Sequence, residues 1–559
     1  MLSRLFGPAL LAMLLSSPSL GVRDIAIIHV TMIDGTGAPP RADVTVVVRD
    51  SVIQRVVPSA EYVPPAGSRV IDGRGKYLVP GFIDMHAHMS VGPEHLNPRT
   101  NEMRGEYDPQ VARISLGSLL HFGITTIRDP GGLTKHAVAT RDSVARGLIA
   151  GPRMFVAGSV IDQTDAPGLV ATVHSPEEVR AEVRRQIAAG VDYIKLYATL
   201  TPPMVEAGIQ EAHAGGKKAI GHLFLTSWTE AARSGINGLL HVAPSSPLLL
   251  PPDQRAAFRK SIHNTRFMFQ WFEYVNYASP EIDSLVTLMV QHHIEHDGTL
   301  ATFEAMAWGD SARVTKSPDL GYSAPSLVRN WREFTLTAGW TKADYDSARA
   351  VWPKVLQFEK LLYDRGVLVT VGTDANNPWT APGASYAREL ELLVAAGIPP
   401  LQVIRLATHN GAEALGILDH VGTIAAGKRA DLVLLYANPV TNIGNTRHVA
   451  MVIANGRIID YEATRRRQAV STRSSTPVSR EVDQSRSRVR IRAASSRLSL
   501  RSRIEACSQS SRRSSTSASY SFPSPSRSGH CRAAATSAAA SLHRPAAIAS
   551  TASMSLASL

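Results

Sequence analysis

The sequence predicts an α/β fold: a (β/α)8 TIM barrel, with a small β-sandwich built from both ends of the folded body and a disordered tail. Three observations predict it. Between residues 79 and 418, strand-like runs alternate with amphipathic helical ones, which argues for parallel strands joined by helical crossovers. Eight strand candidates can be counted in this middle region, the number that closes such a barrel. Short alternating strands separated by turns flank it on both sides, at 22–78 and 419–463. A chain of 559 residues has ample length for this core.

The first segment, 1–21, has one Arg, an apolar run from Leu5 to Leu15 and a small, polar exit, the three-part shape of a secretory signal peptide. The run is shorter than the about 20 residues a spanning helix needs, and Pro8 weighs against a buried first helix. Cleavage near Gly21 and a periplasmic or secreted location are the expectation. No Cys follows the run, which argues against a lipid-modified N-terminus. "DVTVVVRDSVIQRVV" in 22–78 and "ADLVLLYANP" in 419–463 share one texture and are expected to share one domain.

The eight strand candidates are 77–88, 124–129, 153–160, 192–197, 218–223, 238–242, 299–303 and 367–374. "SPEEVRAEVRRQIAAG" reads as a crossover helix, with Ser175 and Glu178 as a capping box and Gly190 as its stop. The connections after the sixth and seventh strands are long enough to be lids, and their aromatic clusters read first as local packing. From Arg465 onward there are seventeen Arg, no Lys and three acids, which accounts for the net charge of +12 and leaves the body nearly neutral. The Arg/Ser/Ala-rich tail, 464–559, cannot bury a core, and its composition fits frameshifted or read-through translation of GC-rich sequence. No nucleic-acid partner is therefore expected. Both cysteines, Cys507 and Cys531, lie in that tail, so the body has neither disulfides nor thiolate metal ligands.

Chemistry-bearing residues recur where the strands end. In "VPGFIDMHAHM", His86 and His88 are two apart, so on a strand both imidazoles face the same way and can converge on one metal. "VDYIKLYA" ends near Lys195, "KKAIGHLF" near His222, "INGLLHVA" at His241 and "VLVTVGTDA" at Asp374. Any one of them alone reads as structural; six together at strand C-termini read as a metal centre. Lys195 is the unusual member. Two neighbouring dications and burial would push its pKa down, and a neutral amine can add CO2 to become an anionic carbamate that bridges two metals.

These stretches, with "GITTIRDPGG", "GPRM", "EAHAGGKKAIGH", "ELELLVAAGI", "ATHNGAEALGI" and "GTIAAGKRADLVLL", resemble the metal-dependent amidohydrolase superfamily, in its imidazolonepropionase-like and Xaa-Pro dipeptidase-like branch. The resemblance covers about 24–461 and implies the same barrel and β-sandwich. It implies that His86, His88 and Asp374 hold a first divalent ion and His222 and His241 a second, with carboxylated Lys195 bridging them. Zinc is the default for such N/O ligands. It also implies that a hydroxide bridging the metals attacks a carbonyl carbon, with Asp374 passing the proton to the leaving amine. The chain departs from the pattern in "APGASYAREL", where Ala387 replaces a frequent His, and in "LLH", where an acidic residue commonly precedes His241. Tyr197 and Tyr274 are candidates to orient substrate. The expected activity is cleavage of an amide bond in a peptide-like or N-acyl amino acid substrate. The alternatives are hydrolysis of a cyclic amide of imidazolone type and one-metal deamination. A small-molecule or dipeptide-like substrate, no membrane span after leader removal and compatibility with a homo-oligomer complete the expectation.

Overall fold

The computed structural model describes residues 24–96, 103–262 and 265–460. The expected leader and the whole of the basic tail, including both cysteines, lie outside the described residues. Among the described residues no helix is long and apolar enough to cross a membrane.

The two ends of the body meet in one eight-stranded sheet. Tyr77–Pro80 runs antiparallel to Leu432–Leu435, pairing Tyr77 with Leu435 and Pro80 with Leu432. On its other side Tyr77–Pro80 pairs in parallel with Ile25–Met32, which continues to Arg41–Arg49 and Val52–Pro58. Val44, Val46 and Val48 alternate with their neighbours in the second of these and pack with Ile27, Val30, Leu432 and Ile453. Asp431 joins this sheet to the central strands, accepting from Arg153 Nη2 at 3.0 Å while its carbonyl accepts from Gly81 N.

Eight parallel strands carry the middle of the chain. Phe82–Asp84, Ile124–Asp129 and Arg153–Val156 pair in one sheet. Tyr193–Leu196, Lys218–Gly221, Gly238–Leu240, Glu295–Asp297 and Leu368–Thr370 pair successively in another. A parallel bridge between Ala157 and Tyr193 joins the two sheets at one side. Met85 N donating to Val371 O at 2.8 Å, and a bridge between Ala87 and Ala375, join them at the other. Apolar side chains from the strands and the crossover helices form the main core, with Trp228, Trp271 and Phe358 fully buried in it.

The expected seventh strand is corrected. Residues 300–303 belong to the helix Leu300–Ala307, with Thr299 as the turn before it, and the strand is Glu295–Asp297, which starts four residues earlier. A fully buried apolar run has no visible period, and Leu, Ala, Met and Glu favour the helix. Thr299 makes the turn in the left-handed region, at φ 48°, and the buried Glu389 carboxylate accepts from Leu300 N (2.9 Å) and Ala301 N (2.6 Å) at the helix start. The helix Pro176–Ala188 begins and ends as expected, with Ser175 capping Glu178 N at 3.2 Å and Gly190 at φ 93° beyond its end. Glu178 reaches back to His174 N (2.7 Å) instead of closing the box on Ser175. The aromatic cluster in Phe267–Tyr274 is core packing: Trp271 is buried and donates to Ser246 O at 3.0 Å.

Candidate metal centre

All six expected ligands lie at the C-terminal ends of their strands. His86 and His88 follow Phe82–Asp84, Lys195 sits in Tyr193–Leu196, and His222 and His241 directly follow their strands. Asp374 lies just beyond Leu368–Thr370. Two of these positions are held in the left-handed region, His241 at φ 69° and Asp374 at φ 59°, a cost that recurs at functional sites. Close approach of the first and last strands depends on Gly372, where a Cβ would meet His86 Cβ at 2.7 Å.

The side chains converge. Ligand atoms of His86, His88 and Asp374 lie within 4.8 Å of one another. Asp374 Oδ1 is 3.1 Å from His88 Nε2 and 3.4 Å from His86 Nε2, and Asp374 Oδ2 is 3.9 Å from His241 Nδ1. The ring of His241 lies 4.6 Å from that of His86 and 4.2 Å from that of His222. Lys195 is 2% exposed. Tyr197 stands edge-on to His222 at 4.9 Å. Tyr274 instead rests on Phe258 at 5.8 Å, as a partly buried residue against the main core.

These residues fit a metal centre. Asp374 Oδ1 and His222 Nε2 are buried without a hydrogen-bond partner among the described residues, a costly arrangement that a cation would relieve. Burial holds His86, His222 and His241 well below the usual histidine pKa, so each is a neutral imidazole with a lone pair to give. Burial also pushes the Lys195 amine down to about 7, against the pull of Asp297 and Asp374. At His88 burial acts in the same sense, but the neighbouring carboxylates of Asp374 and Asp129 outweigh it and lift the imidazole to about 9. The carboxylate that draws a proton there would draw a metal cation in the proton's place.

Several supporting residues escaped sequence reasoning. His86 Nδ1 meets Asp297 Oδ1 at 2.8 Å, His88 Nδ1 meets Gly131 O at 2.7 Å, and His241 Nδ1 meets Thr299 Oγ1 at 2.9 Å. Asp297 also accepts from Arg128 Nη2 at 2.8 Å, while Arg128 Nε donates to Met85 O at 2.8 Å and Nη1 pairs with Glu295. Asp84, buried and pushed up to about 7, accepts from His86 N (3.0 Å), Thr373 N (3.1 Å) and Thr373 Oγ1 (2.8 Å). Burial likewise pushes Glu94 up to about 7, opposed by His88 and helped by Asp374. A four-residue shift of the seventh strand would have placed Asp297 at its C-terminal end, as at the other site strands.

Comparison with known proteins gives one family. The amidohydrolase family model matches residues 77–268 and 335–459, which include all six expected ligands but not Glu295, Asp297 or Thr299. Imidazolonepropionase of Herpetosiphon aurantiacus is 24% identical over 435 residues, covering 70% of this chain and 84% of that protein. The Deinococcus radiodurans imidazolonepropionase is 24% identical over 405 residues, covering 70% and 85%. Among solved structures, a Xaa-Pro dipeptidase with bound methionine in the active site superposes with TM-score 0.57 at 21% identity, covering 78% of this chain and all of that one. Bottromycin amidohydrolase superposes with TM-score 0.59 at 22% identity, covering 80% and 90%.

Proposed function

We propose, from the premise that the chain belongs to the amidohydrolase family, that it cleaves an amide bond in a peptide-like or N-acyl amino acid substrate at a two-metal centre. Hydrolysis of a carbon–nitrogen bond is the family's chemistry. The proposal adds the substrate class, two zinc ions, a carboxylated Lys195 and closure of the eight parallel strands as a (β/α)8 barrel. The observation that carries it is Lys195: a buried amine within electrostatic reach of His86, His222, His241 and Asp374, with its pKa brought down by burial to about 7.

A neutral Lys195 amine adds to CO2, forming the N–C bond and releasing one proton, and so turns a misplaced cation into an anionic ligand. His86, His88 and Asp374 would hold one ion, His222 and His241 the other, with modified Lys195 between. When bound, the ions supply Lewis acidity, polarising a carbonyl oxygen and lowering the pKa of a water. Asp374 Oδ1, without a hydrogen-bond donor of its own, receives the proton released as water attacks the carbonyl carbon. The same oxygen delivers that proton to the leaving nitrogen as the carbon–nitrogen bond breaks. Tyr197, beside His222, is placed to hold the substrate carbonyl or carboxylate.

A second reading, hydrolysis of a cyclic amide, is favoured by the likeness to imidazolonepropionases. Metal analysis separates it from the first: two equivalents per chain are expected for the bridged centre and one for a one-metal hydrolase. The leader-like N-terminus supports a periplasmic or secreted location, where scavenged peptides are the available substrates. The deciding experiment screens zinc-loaded protein against dipeptides, N-acyl amino acids and cyclic amides. Chelation should abolish hydrolysis and zinc restore it; turnover of cyclic amides alone would refute the first reading.

A further inference from the structure

Three of the four site imidazoles have Nδ1 engaged, but by unlike partners. His88 meets a backbone carbonyl and His241 a hydroxyl, whereas His86 alone meets a carboxylate. That carboxylate is fully buried, and its other oxygen is taken by Arg128, itself fully buried. Arg128 cannot swing away, because Nε is tied to Met85 O, next to His86 in the chain, and Nη1 to Glu295.

We infer that Asp297, clamped by Arg128, is a positioning residue for the metal centre: it holds the single proton of His86 on Nδ1 and leaves the Nε2 lone pair free for the cation. A carboxylate only accepts, so the hydrogen in the His86–Asp297 contact must come from the imidazole. A neutral imidazole has one such hydrogen, and the ring nitrogen without it is Nε2, the one facing Asp374. The inference rests on the metal-dependent reading above and adds to it the control of one ligand's tautomer. The same charge makes His86 a more basic ligand than an imidazole backed by a carbonyl or hydroxyl.

The clamp makes Asp297→Asn an informative substitution, since it changes hydrogen bonding with little change of shape. Arg128 presents a donor to one side of residue 297 and requires an oxygen there. The asparagine NH2 then faces His86 Nδ1, which must accept, and the imidazole proton moves to Nε2, against the metal position.

Two measurements test this on the full chain. In metal-free protein with 15N-labelled histidine, the His86 signal, identified by its loss in His86→Gln, should report Nδ1–H in the wild type and Nε2–H in Asp297→Asn. Zinc affinity at one site, read by chelator competition, should fall about 10–100-fold in the variant. An unchanged tautomer or unchanged zinc affinity in a folded variant would overturn the inference, as would lowered stability without the proton shift. Should Asp297→Asn not fold, the wild-type spectrum decides alone, since a His86 proton on Nε2 is incompatible with the proposal. A wild type that binds no zinc would sink the proposed function, while its tautomer would still be read.

Discussion

Asp84 is the tie between the first and last of the eight strands, and replacing it tests how the segments carrying His86 and Asp374 are held together. Its Oδ1 accepts from His86 N and Thr373 N, and its Oδ2 from Thr373 Oγ1. In Asp84→Ala the Thr373 groups keep a fallback, since Thr373 N and Oγ1 also reach His86 O at 3.2 and 3.3 Å. His86 N loses its partner outright, and an orphaned buried donor costs about 1–3 kcal/mol. A small cavity adds about 1–2 kcal/mol, and removing a buried acid returns part of the loss. The expected net destabilisation is about 2–4 kcal/mol. Asp84→Asn should cost under about 1.5 kcal/mol, because Asn Oδ1 keeps both backbone donors and its NH2 can donate to Thr373, whose hydroxyl turns to His86 O. Urea unfolding of both variants at neutral pH, metal-free, reads the difference. Equal stability of Asp84→Ala and wild type would refute the accounting, as would an Asn variant as unstable as the Ala variant.

Three further outcomes are expected. Asp374→Asn should keep its metals largely bound and lower turnover by about a thousandfold or more; near-normal turnover would remove Asp374 from the proton transfer. Lys195→Ala should lose activity and regain part of it in propionate, whose carboxylate can take the place of the carbamate; full activity without added acid would exclude the modification. Burial pushes the Glu304 carboxyl up, but the fork of Arg388, at 2.9 Å to each oxygen, and Arg313 at 3.0 Å outweigh it and hold it below the usual glutamate value. Because the folded pKa is depressed, this stabilisation is fully present above the unfolded value and disappears as pH falls through the folded one. The stability gap between wild type and Glu304→Gln should therefore shrink between about pH 6 and pH 3 in urea unfolding; a constant gap would contradict the assignment.

The sequence was most legible where local pattern and chemistry coincided. "FIDMHAH", "YIKLY", "AIGH" and "GTDA" each put a ligand-type side chain at the end of an apolar run, and each run is a strand. Helix starts carrying Ser175, Ser227 and Thr341 cap as those residue types should. Legibility failed around 295–307. There burial erased the periodicity, and the strand was placed on what is a helix. That one displacement hid Asp297, because a carboxylate before a Gly-Thr turn looks like turn chemistry unless the strand is known to end there.

Residue type and, for the strands that carry the six expected ligands, strand position were settled by the amino-acid order alone: six metal-compatible side chains and the alternation of strands and helices around them. What only the tertiary structure decided is which atom of each faces which partner. Asp297 stands 211 positions from His86, and Asp84 stands 289 from Thr373. No propensity or spacing can report a contact between chain segments whose distance apart is set by the packing of everything between them. Hydrogen-bond direction, and with it the nitrogen of His86 left free for a cation, exists only once those segments have met.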